Sequence, residues 1–413
     1  MRTGVSVEEA RAIVLDAVSP LEAERVPAAD GLGRVLAEPV VSSRTLPPAD
    51  CSAMDGYAVR TADLAAAGPD APVALSVAFE VPAGGHAGRA LRPGEAARIF
   101  TGAPVPEGAD SVVMQEHVEA GEGRARFRAA ARRGDHVRPA GEDVRAGDRV
   151  LEPGALLGAS QLGMLAALGR TQVAVRRRPR VAILSGGDEL VEPDEPVDGG
   201  RIVSSNSYAL AAQCREAGAE PTLLGIARDT AADLERRLRA GLHADVLVSS
   251  AGVSVGDHDH VRPVLAKLGC SLLFWGVKMK PGYPLVFGRF AGERGTLVFG
   301  LPGNPVSAMV TFELFVRPVL RKLAGFAALY RPTIAATLVE TLTKAAGRTH
   351  FVRVTLARSG DGWRAMTTGN QSSGVLRSMV LANGLLEFPA EATELAAGAV
   401  VRVHVLDPEV FSA

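Results

Sequence analysis

Strand and helix patterns alternate along the chain from Arg180 onward, and this alternation restricts the possible folds more than any other feature. The predicted strands are 181–184, 223–227 and 244–248, and the predicted helices are 208–217 and 231–240, with Asn206 or Ser207 as the N-cap of the first. Such alternation predicts a parallel sheet covered by helices on both faces. Because open α/β sheets bind ligands beyond the carboxyl ends of their strands, the loops at that edge are the first candidates for a site.

The loop SSAGVSVGDHDH, at 249–260, joins the third predicted strand to the next helical pattern. Gly252 and Gly256 would let the backbone approach a ligand closely, and free N–H groups at a helix N-terminus attract anions. Asp257 and Asp259 add two carboxylates, which would hold a divalent cation beside a phosphate. A tight turn with an N-capping aspartate is the alternative, and the residues of this loop leave both interpretations open.

Three further loops share the same predicted neighbourhood. SGGDE at 185–189 follows the first strand, and GLPGNP at 300–305 precedes a predicted helix at 306–323 whose amino end points to the same edge. KMKPGYP at 278–284 carries two lysines. These lysines would lie on a solvated strand face, or else the Pro-Gly pair after Lys280 fixes one ammonium against an anion.

The rest of the chain is richer in β patterns. A capping box at Ser6 and Glu9 begins the first helix, and short alternating runs in 46–136 predict a small β domain inserted into a domain of mixed character. Asp55, which precedes a glycine, is either a turn residue or part of a polar site with Thr101. After Gly325, strands separated by turns predict a C-terminal barrel or sandwich.

The composition excludes several classes of protein. The 413 residues are 47% hydrophobic and 22% charged, with a net charge of −1, so a nucleic-acid partner is not expected. The first residues lack the apolar core of a signal peptide, and no apolar run is long enough to span a membrane, so a cytoplasmic location is expected. Three widely separated cysteines encode neither a disulfide framework nor a zinc pair.

Nine motifs resemble those of one known family. In chain order they are MDGYAVR, TGAPVPEGADSVVMQE, RPAGEDVRAGD, LSGGDEL, SAGVSVGDHD, KMKPGYP, FGLPGNPVSAMVTFELFVRP, GRTHFVRV and GNQSSGVLRSMVLANGL. Together they resemble the MoeA family of molybdopterin molybdenumtransferases, the bacterial relatives of the gephyrin E domain. The order of the motifs over nearly the whole chain makes the resemblance specific.

The resemblance implies an α/β multidomain fold. It consists of a split α/β domain I at 1–45 and 137–176, an inserted β domain II at 46–136, a doubly wound, MogA-like domain III at 177–327 and a C-terminal β-barrel domain IV at 328–413. It also implies a homodimer with an active cleft between subunits, to which the other subunit supplies Asp55 and Thr101.

The implied reaction inserts molybdenum from molybdate into adenylylated molybdopterin and releases AMP, with Mg²⁺ required. The expected catalytic residues are Asp55, Thr101, Asp143, Glu189, Asp259 and Lys280, and the expected metal ligands are Asp257, Asp259 and, as a weaker match, Asp229. Substrate binding is expected at Ser249, Gly252, Ser254, Gly256, Lys278, Pro302, Asn304, Arg348, Arg353, Ser372 and Ser373. Carboxylates that hold magnesium, together with cations and hydroxyls that bind oxyanions, suit this chemistry independently.

Three residues depart from the family pattern. Ala251 replaces a frequent glycine, Tyr283 occupies the position of a frequent lysine, and Gly276 stands where some members have another lysine. Lys278 would offset part of the lost positive charge. Tungstate, which is nearly the same size as molybdate, is an alternative substrate.

Three functions are alternatives to molybdenum insertion. A molybdopterin adenylyltransferase is suggested by domain III alone, and such an enzyme is also a candidate for transient contact with this chain. A non-catalytic, gephyrin-like dimeric scaffold is the second, although no partner-binding linker is visible. A zinc site built on 257–260 is disfavoured, because adjacent ligands do not easily converge on one ion.

Overall fold

The computed structural model describes residues 1–250, 261–291, 295–360 and 362–411. The chain divides into two compact units. The first comprises Met1–Ala37, Gly154–Ala159 and Gln172–Ala413, and the second comprises Glu38–Pro153 and Ser160–Thr171.

A seven-stranded sheet forms the centre of the first unit. Its strands are β1 (Arg2–Val5), β2 (Arg180–Gly186), β3 (Glu220–Ala227), β4 (Val246–Ser250), β5 (Cys270–Val277), β6 (Val286–Phe290) and β7 (Leu297–Leu301). Their order is β1-β5-β6-β7-β4-β2-β3. The predicted parallel sheet is correct except at β6, which is antiparallel to both neighbours. The connections to β6 are short, and a parallel crossover needs a dozen or more residues.

Helices cover both faces of this sheet. They are α1 (Val7–Asp16), α2 (Ser205–Glu216), α3 (Ala231–Gly241), α4 (Val261–Lys267), α5 (Pro305–Thr311), α6 (Arg317–Leu323) and α7 (Arg377–Val380), the last of which belongs to the C-terminal region. Alternate residues of the central strands enter two cores. Val248 and Phe299 pack with α1, α2 and α5, whereas Leu247 and Val298 pack with α3 and α4. This alternation follows from the period of two along a strand.

The single helix predicted at 306–323 is helical throughout, but its middle turn is a π-helix at Phe312–Val316 that joins α5 to α6. Glu313 in this turn is buried and forms ion pairs with Arg317 at 3.2 Å and with Arg331 at 2.8 Å. A buried carboxylate requires such partners, since an unpaired charge costs several kcal/mol.

A closed five-stranded barrel forms the C-terminal region, as predicted. Its strands are β8 (Thr333–Leu338), β9 (Thr349–Ser359), β10 (Gly362–Thr367), β11 (Gly384–Phe388) and β12 (Val400–Val405). The order is β9-β10-β8-β12-β11, and pairing of β9 with β11 closes the barrel. Met279–Lys280 adds a short parallel strand beside β9.

Shorter elements complete the first unit. Antiparallel pairs join Ala23–Pro27 to Gln172–Arg176 and Leu342–Thr343 to Glu394–Leu395, a parallel pair joins Leu190–Val191 to Ile202–Val203, and single 3₁₀ turns occur at Ala28–Gly31 and Pro408–Phe411. The predicted cap of α1 is confirmed, since Ser6 Oγ accepts a hydrogen bond from the Glu9 amide at 3.0 Å. The Glu9 carboxylate pairs with Arg2.

The second unit is built mainly on a six-stranded sheet. In spatial order its strands are Ser111–Met114, Gly56–Val59, Glu95–Ile99, Val73–Val81, Arg124–Phe127 and Val118–Gly121. Two-stranded ladders pair Cys51–Ser52 with Val137–Arg138 and Val40–Val41 with Arg149–Leu151, two 3₁₀ turns lie at Thr61–Leu64 and Gln115–His117, and the helix Ala159–Ala167 begins at the boundary of the two units. No helix in the described part of the chain is long and apolar enough to cross a bilayer.

Candidate active site

A cavity of about 690 Å³ lies at the carboxyl ends of the neighbouring strands β2, β4 and β7. We call it the strand-end cavity. Its lining residues are Ser185, Gly186, Glu189, Leu190, Ile202, Val203, Ser204, Ser205, Asn206, Ser250, Pro284, Pro302, Gly303, Asn304, Pro305, Gly374 and Leu376. Of the residues predicted from the sequence, Glu189, Pro302 and Asn304 line this cavity. Ser249 lies next to it as a buried residue of β4.

Hydroxyl and amide groups form the polar floor of the strand-end cavity. Ser185, Ser204 and Ser207 are buried and mutually hydrogen-bonded, with Oγ–Oγ distances of 2.6 to 3.1 Å. The Asn206 amide donates to Ser250 Oγ and to the carbonyl of Gly303, both at 2.7 Å. Asn206 thereby ties the first turn of α2 to the ends of β4 and β7.

Most of this floor was not predicted from the sequence. The prediction of Asn206 or Ser207 as an N-cap was wrong, because α2 begins at Ser205 and its N-cap is Ser204. The only signal in the sequence was the run of small polar residues SSNS at 204–207, just before the helix predicted at 208–217. Capping explains such a run equally well, so the run did not reveal contacts with a distant strand.

The carboxylate of Glu189 is folded back over the backbone at Gly187. Gly187 has a φ of 142°, and a Cβ there would lie 2.7 Å from Glu189 Cδ. Residues other than glycine rarely adopt this φ, and a real Cβ needs more space. The glycine therefore permits both the turn after β2 and the position of the carboxylate at the cavity.

We expect Gly187→Ala to lower the free energy of unfolding by about 1–3 kcal/mol, because it combines backbone strain with the clash against Glu189. The adjacent Gly186→Ala is the matched control, since no atom lies within 4 Å of its added Cβ and its φ is ordinary. Urea unfolding of both variants measures the difference. Equal losses in the two variants would contradict this account of Gly187.

Carboxylates at the ends of β2 and β3 also lie close to one another. The Asp188 amide donates to Asp229 Oδ2, and the Asp229 amide donates to Asp188 Oδ1, both at 3.3 Å. Asp188, Asp229 and Glu189 are exposed oxygen donors, the type that Mg²⁺ prefers. Among the described residues, no three His, Cys, Asp or Glu side chains already converge as a metal site. The donor chemistry thus suits a hard divalent cation such as Mg²⁺ that takes further ligands from elsewhere.

A second cavity, of about 570 Å³, lies between the short strand Met279–Lys280 and the barrel. We call it the basic cavity. Its lining residues are Lys280, Pro281, Leu342, Thr343, Lys344, Ala345, Ala346, Arg348, His350, Phe351, Val352, Arg353, Gln371 and Phe388. Four of these described lining residues are lysine or arginine and none is acidic. An excess of cations in a concave surface concentrates anions there.

Three of the four cations that line the basic cavity have different surroundings. Lys280 is paired with His350 across adjacent strands and is exposed. The guanidinium of Arg348 lies 4.8 Å from the centre of the Tyr283 ring. Arg353 is 1% exposed and donates to Ser378 Oγ at 3.2 Å and the Ser372 carbonyl at 3.3 Å.

Arg353 forms no ion pair with a carboxylate in the described part of the chain, and burial lowers the pKa of Arg353 to about 10. Gln371 holds the Arg353 backbone, accepting from its N–H at 2.9 Å and donating to its carbonyl at 3.1 Å. A buried cation with neutral partners favours the arrival of an anion.

Two loops contribute to both cavities. In the 280–284 loop, Lys280 and Pro281 line the basic cavity and Pro284 lines the strand-end cavity. In the 371–376 loop, Gln371 lines the basic cavity and Gly374 lines the strand-end cavity. Ser372 and Ser373, both predicted substrate-binding residues, lie within the second loop, and the Ser373 carbonyl accepts from the amide of Val306 in α5 at 3.1 Å.

Two departures from the family pattern are physically linked. Gly276 has a φ of 78°, and a Cβ there would approach the Tyr283 ring to 3.2 Å. The same ring packs edge-on against Trp275 at 5.6 Å and supports Arg348. A larger residue at 276 would crowd the Tyr283 ring, so the glycine at 276 leaves the space that the aromatic side chain at 283 occupies. Lys278 is exposed and outside the lining of the basic cavity.

Two of the three predicted site residues of the second unit are in contact with each other. Asp55 Oδ1 accepts from the Thr101 amide and hydroxyl, both at 2.8 Å. These two hydrogen bonds lower the pKa of Asp55. Asp143 is exposed, and its amide donates to the Leu46 carbonyl at 3.0 Å. Asp55 and Thr101 are thus brought together, as expected of a polar site.

Several predictions fall on residues outside the described ranges. They concern Ala251, Gly252, Ser254, Gly256, Asp257 and Asp259, together with the disfavoured zinc site at 257–260. The three cysteines, Cys51, Cys214 and Cys270, are free and buried. Burial raises the pKa of Cys214 to about 12, which keeps that thiol protonated.

Three family models match successive parts of the chain. They are the MoeA N-terminal region (domain I and II) at residues 5–169, the probable molybdopterin binding domain at residues 182–322, and the MoeA C-terminal region (domain IV) at residues 335–406. Both cavities described above draw most of their lining from the second and third of these regions.

Known proteins resemble the chain over nearly its full length. A molybdopterin molybdenumtransferase from Nostoc sp. is 41% identical over 374 residues, which cover 90% of this chain and 86% of the relative. Molybdopterin molybdenumtransferase 2 from Mycobacterium tuberculosis is 39% identical over 404 residues, covering 96% and 98%. The crystal structure of a molybdopterin biosynthesis MoeA protein from Pyrococcus horikoshii superposes with a TM-score of 0.86 at 33% identity, covering 98% and 99%. On this sequence and structural similarity, the chain belongs to the MoeA family.

Proposed function

We propose that this protein is a molybdopterin molybdenumtransferase, which inserts molybdenum from molybdate into adenylylated molybdopterin and releases AMP and the molybdenum cofactor. Relatives that carry this enzyme name align over 86% or more of their own length. A shared fold alone would not support an activity. The support comes from that similarity together with the chemistry of the two cavities.

One observation carries the proposal. The basic cavity has four cationic side chains and no acidic residue among its described lining, and it shares two loops with the strand-end cavity. Molybdate is a tetrahedral dianion, which such cations bind through charge-assisted hydrogen bonds. A cavity of about 690 Å³ is large enough for a pterin nucleotide. The two substrates would thus be held in neighbouring cavities.

The proposed roles follow from this placement. Lys280, Arg348 and Arg353 attract molybdate, and Arg353 also positions the 371–376 loop through its bonds to Ser372 and Ser378. Pro302 and Asn304 contact the pterin nucleotide, and Glu189 faces its phosphates. A water molecule replaces AMP at the phosphorus of the bond that links the two halves of the pterin nucleotide, so that AMP and the free pterin phosphate are formed. The two dithiolene sulfurs then bind molybdenum in place of one oxygen of molybdate, which leaves as water with the two thiol protons.

Magnesium belongs to the proposal as the ion that neutralises phosphate charge. Asp229 and Glu189 are the described residues that would hold it, with Asp188 as an additional donor. The predicted ligands Asp257 and Asp259, which follow β4 in the sequence, lie outside the described residues.

The remaining expectations stay part of the same proposal. They are a four-domain division of the chain, a homodimer in which the partner subunit supplies Asp55 and Thr101, a cytoplasmic location and a transient contact with a molybdopterin adenylyltransferase. The hydrogen bonds between Asp55 and Thr101 support the grouping of these two residues.

The direct test is turnover with purified protein. We expect AMP release and active cofactor when adenylylated molybdopterin, Mg²⁺ and molybdate are supplied together, and loss of active cofactor when any one is omitted. Tungstate in place of molybdate tests metal preference. ATP-dependent adenylylation of molybdopterin, without molybdenum insertion, would instead identify the alternative enzyme, and inactivity in both assays would favour a scaffold.

A further inference from the structure

His350 lines the basic cavity but has no role in the proposed function. It is the second residue of β9, half-buried, and paired with Lys280 on one side and with Phe388 of β11 on the other. Directly paired residues on neighbouring strands point to the same face of a sheet. The imidazole therefore faces the cavity beside the Lys280 ammonium.

The described elements that line the basic cavity around His350 present cations or neutral groups to it. Lys280 comes from the short parallel strand, Lys344 and Arg348 from the segment before β9, and Gln371 from the loop after β10. The Phe388 ring lies 6.3 Å from the imidazole and 4.8 Å from the Lys344 ammonium. Glu391 is the nearby carboxylate, and it acts on Lys344. The imidazole thus faces mainly positive charge.

We propose that His350 is an oxyanion-binding residue that takes up one proton from the buffer when a tetrahedral dianion enters the basic cavity, and then donates a hydrogen bond to it. This inference rests on the proposed function, because it assigns the dianion to the basic cavity. The lysines and arginines of the basic cavity are charged whether or not the anion is bound. His350, in contrast, would become charged only when the anion binds.

The direction of the coupling follows from the surroundings of the ring. Burial, followed by the charges of Lys280, Lys344 and Arg348, lowers the pKa of His350 to about 4, so the ring is neutral near pH 7 in the free protein. A bound dianion offsets those positive charges and raises the pKa of His350. Protonation and anion binding then strengthen each other by the same factor, as linkage requires.

The pH dependence of binding is fixed by the same argument. Affinity for the dianion rises as the pH falls below the pKa of His350 in the complex, by at most about tenfold per pH unit for a single proton. It levels off near the pKa of the free protein, about 4. Above the pKa in the complex, His350 contributes no pH dependence.

Charge selectivity is a second consequence. Perrhenate has the tetrahedral shape of molybdate but carries one negative charge instead of two. It offsets less of the positive charge around His350, so its binding should take up a smaller fraction of a proton. The cavity therefore favours dianions over monoanions of equal size, and increasingly so at lower pH.

Isothermal titration calorimetry of the full chain with sodium molybdate tests the inference. Titrations at about pH 6, where a histidine with an ordinary pKa is partly protonated, in two non-phosphate buffers of different ionisation enthalpy give the number of protons taken up. We expect an uptake of up to one proton with molybdate, less with perrhenate, and none with His350→Gln. His86→Gln, at an exposed histidine of the second unit, should match the wild type. At about pH 8, His350→Gln should bind within about threefold of the wild type.

Each outcome separates this inference from the proposed function. Molybdate binding without proton uptake, or uptake that persists in His350→Gln, overturns the role of His350 but leaves the oxyanion site in place. Binding that is unchanged by Lys280→Ala and Arg348→Ala, or no binding at millimolar molybdate, overturns the basic cavity as the molybdate site and the inference with it. The wild-type titrations decide the first point even if a variant folds poorly.

Discussion

Lys280→Ala is expected to weaken molybdate binding by about 10- to 100-fold, the typical cost of losing a hydrogen bond to a charged group. Lys280 lines the basic cavity, and the proline that follows it limits the conformations of the loop. The remaining cations of the cavity keep some affinity, so binding should be weakened rather than abolished. Titration of sodium molybdate at fixed ionic strength measures the change.

Two variants control this result. Lys267→Ala removes an exposed lysine of α4 that pairs with Glu235 and is not among the residues that line the basic cavity. It should leave molybdate affinity unchanged. Lys280→Arg keeps the charge but not the compact ammonium, so it should recover only part of the affinity. Wild-type affinity in Lys280→Ala would remove Lys280 from the proposed anion site.

Phe299→Ala is expected to lower the free energy of unfolding of the first unit by about 3–5 kcal/mol, as large-to-small changes in protein cores do. Phe299 lies in the central strand β7, is fully buried, and its ring centre is 4.8 Å from that of Phe287. Two contributions add up in this loss of stability. The variant no longer gains the free energy of burying the ring, and the neighbouring strands cannot move enough to close the cavity that remains. Urea unfolding followed by fluorescence measures it, because both tryptophans, Trp275 and Trp363, belong to the first unit.

A matched pair of variants tests whether burial is the cause. Leu223→Ala changes the edge strand β3 of the same sheet at a residue that is 44% exposed, and it should cost about 1 kcal/mol or less. Phe299→Leu keeps most of the buried volume, so its loss in the free energy of unfolding should lie between those of Phe299→Ala and Leu223→Ala. If Phe299→Ala cost no more than Leu223→Ala, the centre of the sheet would not be the well-packed core that the structure indicates.

Much of the fold could be predicted because it depends on patterns that are local in the chain. The alternation after Arg180 predicted the doubly wound sheet, and the capping box at Ser6 predicted the start of α1. The antiparallel strand β6 could not be predicted from periodicity, since parallel and antiparallel strands share the same spacing of side chains. The π-helical turn at Phe312–Val316 was missed for a similar reason, because a single wider turn barely changes the apolar pattern.

The residues of the candidate site could be predicted where they directly follow a strand in the sequence. Glu189, Pro302 and Asn304 were found because they come directly after β2 and β7, and the structure places all three at one cavity. Lys280 was found through its Pro-Gly neighbours and the family resemblance. In contrast, Lys344, His350 and Gln371 were not singled out, because nothing near them in the chain marks them as neighbours of Lys280.

The sequence by itself determined which elements form, which family the motifs resemble and which loops end at the ligand-binding edge of the sheet, since each of these depends on residues a few positions apart. Only the tertiary structure decided that Lys280 and three cations of the 344–353 segment share one cavity with no carboxylate among its described lining, and that His350 lies among them. The physical reason is that electrostatic potential and the pKa depend on distances in space. Such distances are set by strand pairing, as between Lys280 and His350, across a separation of 70 residues that no local pattern encodes.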